Sequence, residues 1–199
     1  MIKRLFDIFF SFFGLLFLSP LFLILSLFIV LDSRGSAFYR QRRVGKGNVD
    51  FSLLKFRTME LGADKKGLLT LGLSDSRVTK IGRFLRKYKM DELPQLFNIL
   101  KGEMSFVGPR PDVRKYVDLY SPEQLKVLEV KPGLTDYASI EYIDESDLLA
   151  RSDNPEKTYI EVVMSDKIKL NFKYIQEQNL QTDILILFKT IFKIVGRNG

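Results

Sequence analysis

The stretch "IFFSFFGLLFLSPLFLILSLFIVL", from Ile8 to Leu31, is an apolar run that no charged residue interrupts. It is long enough to cross a bilayer core of about 30 Å as a helix. A signal peptide fits poorly, because the run is long and no small-residue cleavage site follows it. The run therefore predicts a membrane-embedded helix near the start of the chain.

Two features of this run favour re-entry over spanning. Ser19-Pro20 stands at its middle, where proline predicts a kink and the serine hydroxyl can bond back to a carbonyl one turn earlier. Basic residues flank both ends, with Lys3 and Arg4 before the run and Arg34 after it, and positive charge marks the cytoplasmic side. The interpretation is a helix that enters, bends and returns. Because proline also occurs in spanning helices, a spanning helix stays open as the alternative.

The composition restricts the chemistry. The 199 residues include 31 Lys and Arg against 24 Asp and Glu, a net charge of +7, which calls for an anionic partner such as lipid headgroups, phosphorylated substrates or nucleic acid. The chain has no Cys and no His. This excludes disulfides, thiolate nucleophiles, Ser-His-Asp mechanisms and the usual zinc sites. A resident metal should be a hard cation held by oxygens, and Mg²⁺ is the first expectation.

The rest of the chain predicts a mixture of helices and short strands. Two β-prone runs in residues 37–59 flank Gly45-Lys46-Gly47-Asn48, which indicates a hairpin. Apolar residues at helical spacing, or apolar composition, predict helices over 77–90, 91–101, 155–178 and the C-terminal "DILILFKTIFKIVGRNG". The basic helix over 77–90 suits either a membrane surface or a solvated face over a protein core. The fold class is α+β, mainly helical: a monotopic membrane protein with a re-entrant kinked helix, interfacial amphipathic helices and a small β-hairpin or sheet.

The stretch "RKYKMDELPQLFNIL", residues 86–100, places two adjacent carboxylates between cations and a helical pattern. In the structural interpretation, Asp91 caps a helix whose first turn contains Glu92 and Pro94. In the functional interpretation, the dipole and nearby cations keep Asp91 ionised, and it attacks phosphorus as a covalent nucleophile while Glu92 helps to hold Mg²⁺. The residues alone leave both interpretations open.

Several cations are candidates for phosphate binding. Arg110 lies between two prolines in "GPRP", which predicts either a rigid corner with a solvated arginine or a bidentate phosphate clamp. Lys55 and Arg57 are two residues apart, so a strand would direct both to one face. Arg83 and Arg86 are further candidates on the basic helix.

The motifs "LLKFRTM", "SDSRVTKIGRFLRK", "MDELPQLFNILKGEMSFVGPRPD" and "KPGLT" follow one another along the chain. With them, nearly the whole chain resembles the bacterial sugar transferases, monotopic phosphoglycosyl transferases that start glycan assembly on a polyprenol carrier, in their short form. The resemblance implies a reaction between a UDP-sugar and a polyprenyl phosphate such as undecaprenyl phosphate. Its products are polyprenyl diphospho-sugar and UMP, and the pathway is capsule, O-antigen, exopolysaccharide or glycoprotein glycan assembly.

The resemblance also implies roles for single residues. Asp91 is the nucleophile that forms an aspartyl phosphosugar, and Glu92 assists Mg²⁺ binding. The phosphate site is lined by Lys55, Thr58, Arg86 and Arg110. Asp183 joins Asp91 and Glu92 at the metal, although the preceding "NLQTD" looks shorter than the family's usual spacing. After "KPGLT" many members read "GLAQVNGR", whereas this chain reads "DYASIEYIDE", which leaves the sugar's identity open.

The implied location is the cytoplasmic face of the bacterial inner membrane, in contact with its phospholipids. Residues 1–33 are expected to form the re-entrant membrane helix and residues 34–199 a cytoplasmic, membrane-associated catalytic domain. No nucleic acid is expected, and a homodimer stays open. The rival interpretations are a membrane-anchored scaffold without catalysis, and a Leloir glycosyltransferase that uses the acidic pair only for Mg²⁺ and releases UDP. A nucleic-acid-binding protein is suggested by charge alone.

Overall fold

The longest element of the chain is an apolar N-terminal helix. In a computed structural model, which describes residues 2–63, 67, 69–70, 72 and 75–196, helix α1 covers Ile2–Asp32 and continues through Pro20. The Ser19 hydroxyl donates to the carbonyl of Leu16 at 2.8 Å, as the sequence predicted. By length and composition, α1 is able to cross a membrane. Re-entry at Ser19-Pro20 stays a prediction.

Helix α1 packs against the rest of the chain along one face only. Phe22, Leu25 and Ile29 are buried on that face. The other face is apolar and exposed, and Phe17 and Leu23 show 77% and 74% of their surface. A contiguous apolar face of this kind is disfavoured in water and marks contact with lipid or protein.

Both ends of α1 are tied to the same body of protein. Near its start, Lys3 Nζ forms an ion pair with Asp183 Oδ2 at 2.5 Å. At its end, Asp32 Oδ2 accepts a hydrogen bond from the backbone N–H of Ile81 at 2.9 Å. The guanidinium of Arg57 donates to the carbonyls that follow the helix.

Two small sheets accompany the helices. Strands β1 (Phe38–Val44) and β2 (Asp50–Phe56) form an antiparallel hairpin through a 3₁₀ turn, Lys46–Asn48, which confirms the predicted hairpin. Strands β3 (Ser105–Val107) and β4 (Gly133–Thr135) pair in parallel.

The remaining elements are helices, most of them short. They are α2 (Lys80–Lys87), a 3₁₀ turn (Met90–Glu92), α3 (Gln95–Lys101), α4 (Arg114–Val117), a 3₁₀ helix (Gln124–Glu129), α5 (Tyr137–Glu141), α6 (Glu145–Ala150), α7 (Pro155–Thr158), a π-helix (Tyr159–Met164), α8 (Ser165–Glu177) and α9 (Leu180–Gly196). The mainly helical fold with small sheets is therefore confirmed. Helix α2 begins later than predicted because Thr79 caps it, accepting a hydrogen bond from Gly82 N at 3.0 Å.

Two apolar clusters form most of the core. One joins Tyr116, Tyr159 and Val163 around α4 and the π-helix. The other joins Ile29 of α1 to Phe56 of β2 and also includes Leu85 of α2. A large cavity lies beside the first cluster, which contributes Tyr116 and Tyr159 to its wall, and Leu93, which packs against the second cluster, also lines it.

Candidate functional site

The cavity has a volume of about 580 Å³ and a strongly charged wall. The structure brings most of the predicted site residues to this wall, namely Lys55, Arg86, Asp91, Glu92 and Arg110. Among the residues that the structure describes, three further cations line it, Arg43, Lys89 and Lys167. The wall thus combines a pair of carboxylates with the positive charge that phosphate groups require.

Asp91 and Glu92, here called the dyad, lie in the 3₁₀ turn between α2 and α3. Lys89 precedes the turn with a left-handed backbone, φ 56°. Helix α3 begins only at Gln95, its N-cap position is Pro94, and no side chain caps it. The interpretation of Asp91 as a helix cap is therefore wrong, because two residues separate the dyad from the helix.

The Asp91 carboxyl is buried, with 7% of the residue exposed. Its Oδ1 has no hydrogen-bond partner among the residues that the structure describes. Burial, and then the negative charge of Glu92, raise the pKa of Asp91 against the attraction of Lys55 and Arg86. Desolvation thus acts against the nearby cations, which were predicted to favour the ionised form of this carboxyl.

Glu92 is held by two cations. Arg110 Nη1 donates to Glu92 Oε2 at 3.1 Å, and Nη2 makes a second hydrogen bond to Oε1. Lys55 Nζ lies 3.5 Å from Oε1. Burial alone would raise the pKa of Glu92, but Arg110 and Lys55 lower it well below its usual range. The pKa values of the two dyad carboxyls are thus driven in opposite directions, a pattern typical of acid-base and nucleophilic sites.

Lys55 is placed by the hairpin and by α3. Asn98 of α3 accepts a hydrogen bond from Leu54 N at 2.9 Å and donates to Ser52 O at 2.7 Å, which fixes β2 beside the dyad. Burial lowers the pKa of Lys55 to about 8, against the attraction of Glu92. Near neutral pH the ammonium is charged and poorly hydrated, which suits the binding of a phosphate oxygen.

Arg86 is oriented by Thr58. Its Nε donates to Thr58 Oγ1 at 2.8 Å. A Cβ on Gly82, one turn earlier in α2, would lie 2.1 Å from the Thr58 carbonyl oxygen, so only glycine allows this approach. Thr58 is buried and, unlike Arg86, is not among the described residues that line the cavity. It therefore contributes through Arg86.

Arg110 is positioned by a residue that the sequence reasoning missed. The buried Asp136 accepts a hydrogen bond from Arg110 N at 3.1 Å, and its other oxygen caps α5 by accepting from Ser139 N at 2.6 Å. The available signal was an N-cap aspartate directly after "KPGLT".

A second missed group lies next to Arg110. Arg43 donates to Pro111 O at 3.1 Å and pairs with Asp112, which also accepts from the Tyr159 hydroxyl at 2.5 Å. Asp112 ends the "GPRPD" motif, which gave the only local hint to this group.

The structure does not bring Arg57 or Asp183 to the dyad. The Arg57 guanidinium binds the carbonyl of Ser33 at 2.7 Å, beyond the end of α1. Asp183 lies in a separate polar group in which Lys3 and Tyr174 hold its two oxygens. Within the described part of the chain, no group of three Asp, Glu, His or Cys residues could hold a metal. The set of Asp91, Glu92 and Asp183 is thus not assembled, because α9 buries Asp183 against β3.

Comparisons with known proteins identify the family. Residues 1–197 match the family described as bacterial sugar transferase. The chain is 38% identical to the UDP-N-acetylgalactosamine-undecaprenyl-phosphate N-acetylgalactosaminephosphotransferase of Aeromonas hydrophila, over 100% of the chain but only 44% of that protein. It is 38% identical to the UDP-glucose:undecaprenyl-phosphate glucose-1-phosphate transferase of Caulobacter vibrioides, over 87% of the chain and 62% of the relative.

A third relative is closer in length. The chain is 36% identical to the exopolysaccharide production protein ExoY of Rhizobium meliloti, over 96% of the chain and 84% of that protein. The family match extends over α1, the dyad and the "GPRP" corner alike. The chain belongs to the bacterial sugar transferase family.

Proposed function

We propose that the protein is a phosphoglycosyl transferase that moves a sugar 1-phosphate from a UDP-sugar to undecaprenyl phosphate or a similar polyprenyl phosphate. The observation that carries the proposal is the buried Asp91 carboxyl, with an unpaired oxygen, facing a cavity with Lys55, Arg86 and Arg110 on its wall. The names of the relatives from Aeromonas hydrophila and Caulobacter vibrioides support the same reaction class.

The first step is a substitution at phosphorus. An ionised Asp91 oxygen attacks the phosphate that carries the sugar, the bond from this phosphorus to the bridging oxygen breaks, and UMP leaves with the electron pair. The product is an aspartyl phosphosugar. Lys55, Arg86 and Arg110 neutralise charge on the phosphoryl oxygens during the transfer. Because Glu92 already holds the Arg110 fork, the arginine is oriented before substrate arrives.

The second step restores the enzyme. An oxygen of the polyprenyl phosphate attacks the same phosphorus, and the bond to Asp91 breaks. This gives polyprenyl diphospho-sugar and a free carboxylate. The raised pKa of Asp91 makes the carboxylate a reactive nucleophile once it is ionised, since burial leaves it poorly solvated.

The proposal includes Mg²⁺, which Asp91 and Glu92 would hold together with the donor diphosphate. The unpaired Asp91 Oδ1 fits a hard cation, which oxygen ligands suit. When bound, the ion neutralises phosphate charge. Asp183 is left out of this set, because it does not line the cavity and lies in a separate polar group with Lys3 and Tyr174. Excess chelator is expected to abolish turnover, and full activity in chelator would contradict a metal requirement.

The protein is further proposed to be monotopic on the cytoplasmic face of the bacterial inner membrane, with α1 re-entrant. The contacts of Lys3 and Asp32 at the two ends of α1 support this, because both are made with the same domain. The exposed apolar faces of α1 and α9 support lipid contact. The chain has no cysteine, so single cysteines near Lys3 and Ser36 can be placed cleanly. Both should react with an impermeant thiol reagent from one side, and reaction from opposite sides would show a spanning helix.

The deciding experiment for the reaction omits the lipid. The enzyme is incubated with a panel of UDP-sugars, headed by UDP-glucose and UDP-N-acetylgalactosamine. Release of up to one equivalent of UMP and a mass gain of one sugar phosphate on Asp91 are expected, with ping-pong kinetics once the lipid is added. A Leloir enzyme would release UDP, and only after its acceptor is added, whereas a scaffold would release no nucleotide under either condition.

A further inference from the structure

The first two turns of α1 carry three charged side chains that contact the catalytic domain. Arg4 is the best placed of them. Its guanidinium donates to the carbonyls of Ile99 at 2.6 Å and Leu100 at 2.8 Å, in the last turn of α3. Carbonyls in a last helical turn lack their usual helical partner, although Gly102 N donates to the Ile99 carbonyl at 2.9 Å, so the fork gives each of these two carbonyls a side-chain donor.

The end of α3 forms the binding position of the Arg4 guanidinium. Gly102 ends the helix with φ +90°, and a Cβ at this position would lie 3.1 Å from Arg4 Nη2. At the other end of α3, only Leu93 and Pro94 separate the helix from the dyad. The middle of the helix also holds β2, and with it Lys55, through Asn98. A displacement of α3 therefore moves the dyad and Lys55 relative to Arg110.

The other two charges hold the strand that leads to Arg110. Lys3 Nζ donates to the carbonyl of Val107, the last residue of β3, at 2.8 Å. Asp7 Oδ1 accepts hydrogen bonds from Ser105 Oγ at 3.0 Å and Phe106 N at 3.1 Å. Gly108-Pro109 then leads directly into Arg110.

We infer that the first two turns of α1 act as a positioning clamp for the reaction site, in which Arg4 fixes the dyad helix while Lys3 and Asp7 fix the strand before Arg110. The inference rests on the proposed function. None of the three residues lines the described cavity, so they are positioning residues. The apolar helix then contributes to the geometry of the dyad as well as to membrane attachment.

The test uses the full-length protein in detergent and the lipid-free release of UMP from a UDP-sugar. Arg4→Gln should lower the rate of this half-reaction by about ten- to a hundredfold, the scale of a misplacement of about 1 Å, with little change in KM for the donor. Arg4→Lys should restore part of the rate. The matched control is Arg34→Gln at the other flank of α1, where the side chain is exposed and makes no hydrogen bond or ion pair with described residues. Its rate should equal that of the wild type.

The results that would refute the clamp differ from the result that would refute the proposed function. If Arg4→Gln loses activity only when lipid is present, Arg4 serves attachment alone and the clamp is refuted. If Arg4→Gln does not fold, Arg4→Lys decides, and a wild-type rate in that variant overturns the clamp. Amide hydrogen exchange over residues 90–100 should rise in the Arg4 variants whether or not the enzyme turns over. A wild-type protein that releases no UMP would refute the proposed function, while the exchange measurement still judges the clamp.

Discussion

Two groups of buried charge in this molecule differ in how completely their polar atoms are hydrogen-bonded. The latch cluster (Lys3, Tyr174 and Asp183) is fully paired: Lys3 donates to Tyr174, Asp183 and the carbonyl of Val107, and Tyr174 holds the second Asp183 oxygen. Asp91 of the dyad is buried to a similar degree as Asp183 of the latch cluster, since they are 7% and 4% exposed. Yet Asp91 Oδ1 lacks a hydrogen-bond partner in the described structure. Because buried polar atoms are nearly always paired, the unpaired oxygen, more than burial or charge, distinguishes a reactive carboxyl from a structural one.

The strongest test of this comparison replaces Asp91 and Asp183 separately by asparagine, and the larger effect is expected at Asp91. Asp91→Asn should reduce kcat by at least about a thousandfold, because the amide cannot form the phosphosugar adduct. Thermal stability should hardly change, since no hydrogen bond to described residues is lost. Kinetics, intact mass and a melting curve test these points together. Substantial activity in this variant would remove Asp91 as nucleophile and make Glu92 the next candidate.

Arg110→Lys tests the cations around the dyad. Lysine keeps the charge but loses the planar fork that makes two hydrogen bonds to Glu92. We expect the rate of UMP release to fall about ten- to a hundredfold, since the phosphate is then held less well in line. Lys115→Arg, which swaps the cation type on an exposed ion pair away from the cavity, is the matched control. Unchanged kinetics in Arg110→Lys would make the "GPRP" corner a structural feature only.

Local features of the fold were predictable from the sequence, and long-range partnerships were not. The hairpin followed from Gly45–Asn48, since its turn chemistry is contained in a few residues. Asp183 was assigned to a metal site because nothing near it in the sequence reveals Lys3, its partner across the whole chain. The family resemblance located the dyad and its cations but could not supply such pairings.

The pKa of Asp91 is another property that local sequence predicts only in part, because it depends on long-range packing. The cations beside it are visible in "RKYKMDE", and they favour the ionised carboxyl. Burial acts in the other direction and is the larger effect, but it arises only when α1, α2, β2 and α3 pack together. The alternative interpretation of Asp91 as a helix cap failed for a related reason, because Leu93 and Pro94 separate it from the helix start at Gln95.

Asp183→Asn completes the matched pair of carboxyl variants. Losing the charged partner of Lys3 should cost about 1–2 kcal/mol of stability, a moderate value because Lys3 is partly exposed. Activity should stay within about tenfold of the wild type, since Lys3 keeps its bond to the carbonyl of Val107. The Mg²⁺ concentration for half-maximal rate should be unchanged, whereas Glu92→Gln should raise it. A raised Mg²⁺ requirement in Asp183→Asn would return this residue to the metal site.

The smallest expected effect is a shift in pH dependence that isolates Lys55. Its pKa of about 8 means that the ammonium is charged at lower pH and loses its charge as the pH rises through that value. The phosphate site then loses a cation, so kcat/KM, which reports the free enzyme, should fall on the alkaline side near pH 8. Lys55→Arg keeps its charge throughout this range and should move that limb to higher pH, whatever its absolute rate.

The acid limb should persist in the variant, because the raised pKa of Asp91 removes the nucleophilic carboxylate as the pH falls. Lys46→Arg, an exposed change in the hairpin turn, should leave both limbs in place. If Lys55→Arg kept the alkaline limb of the wild type, that limb would belong to another group, and Lys55 would not be the titrating cation of the site.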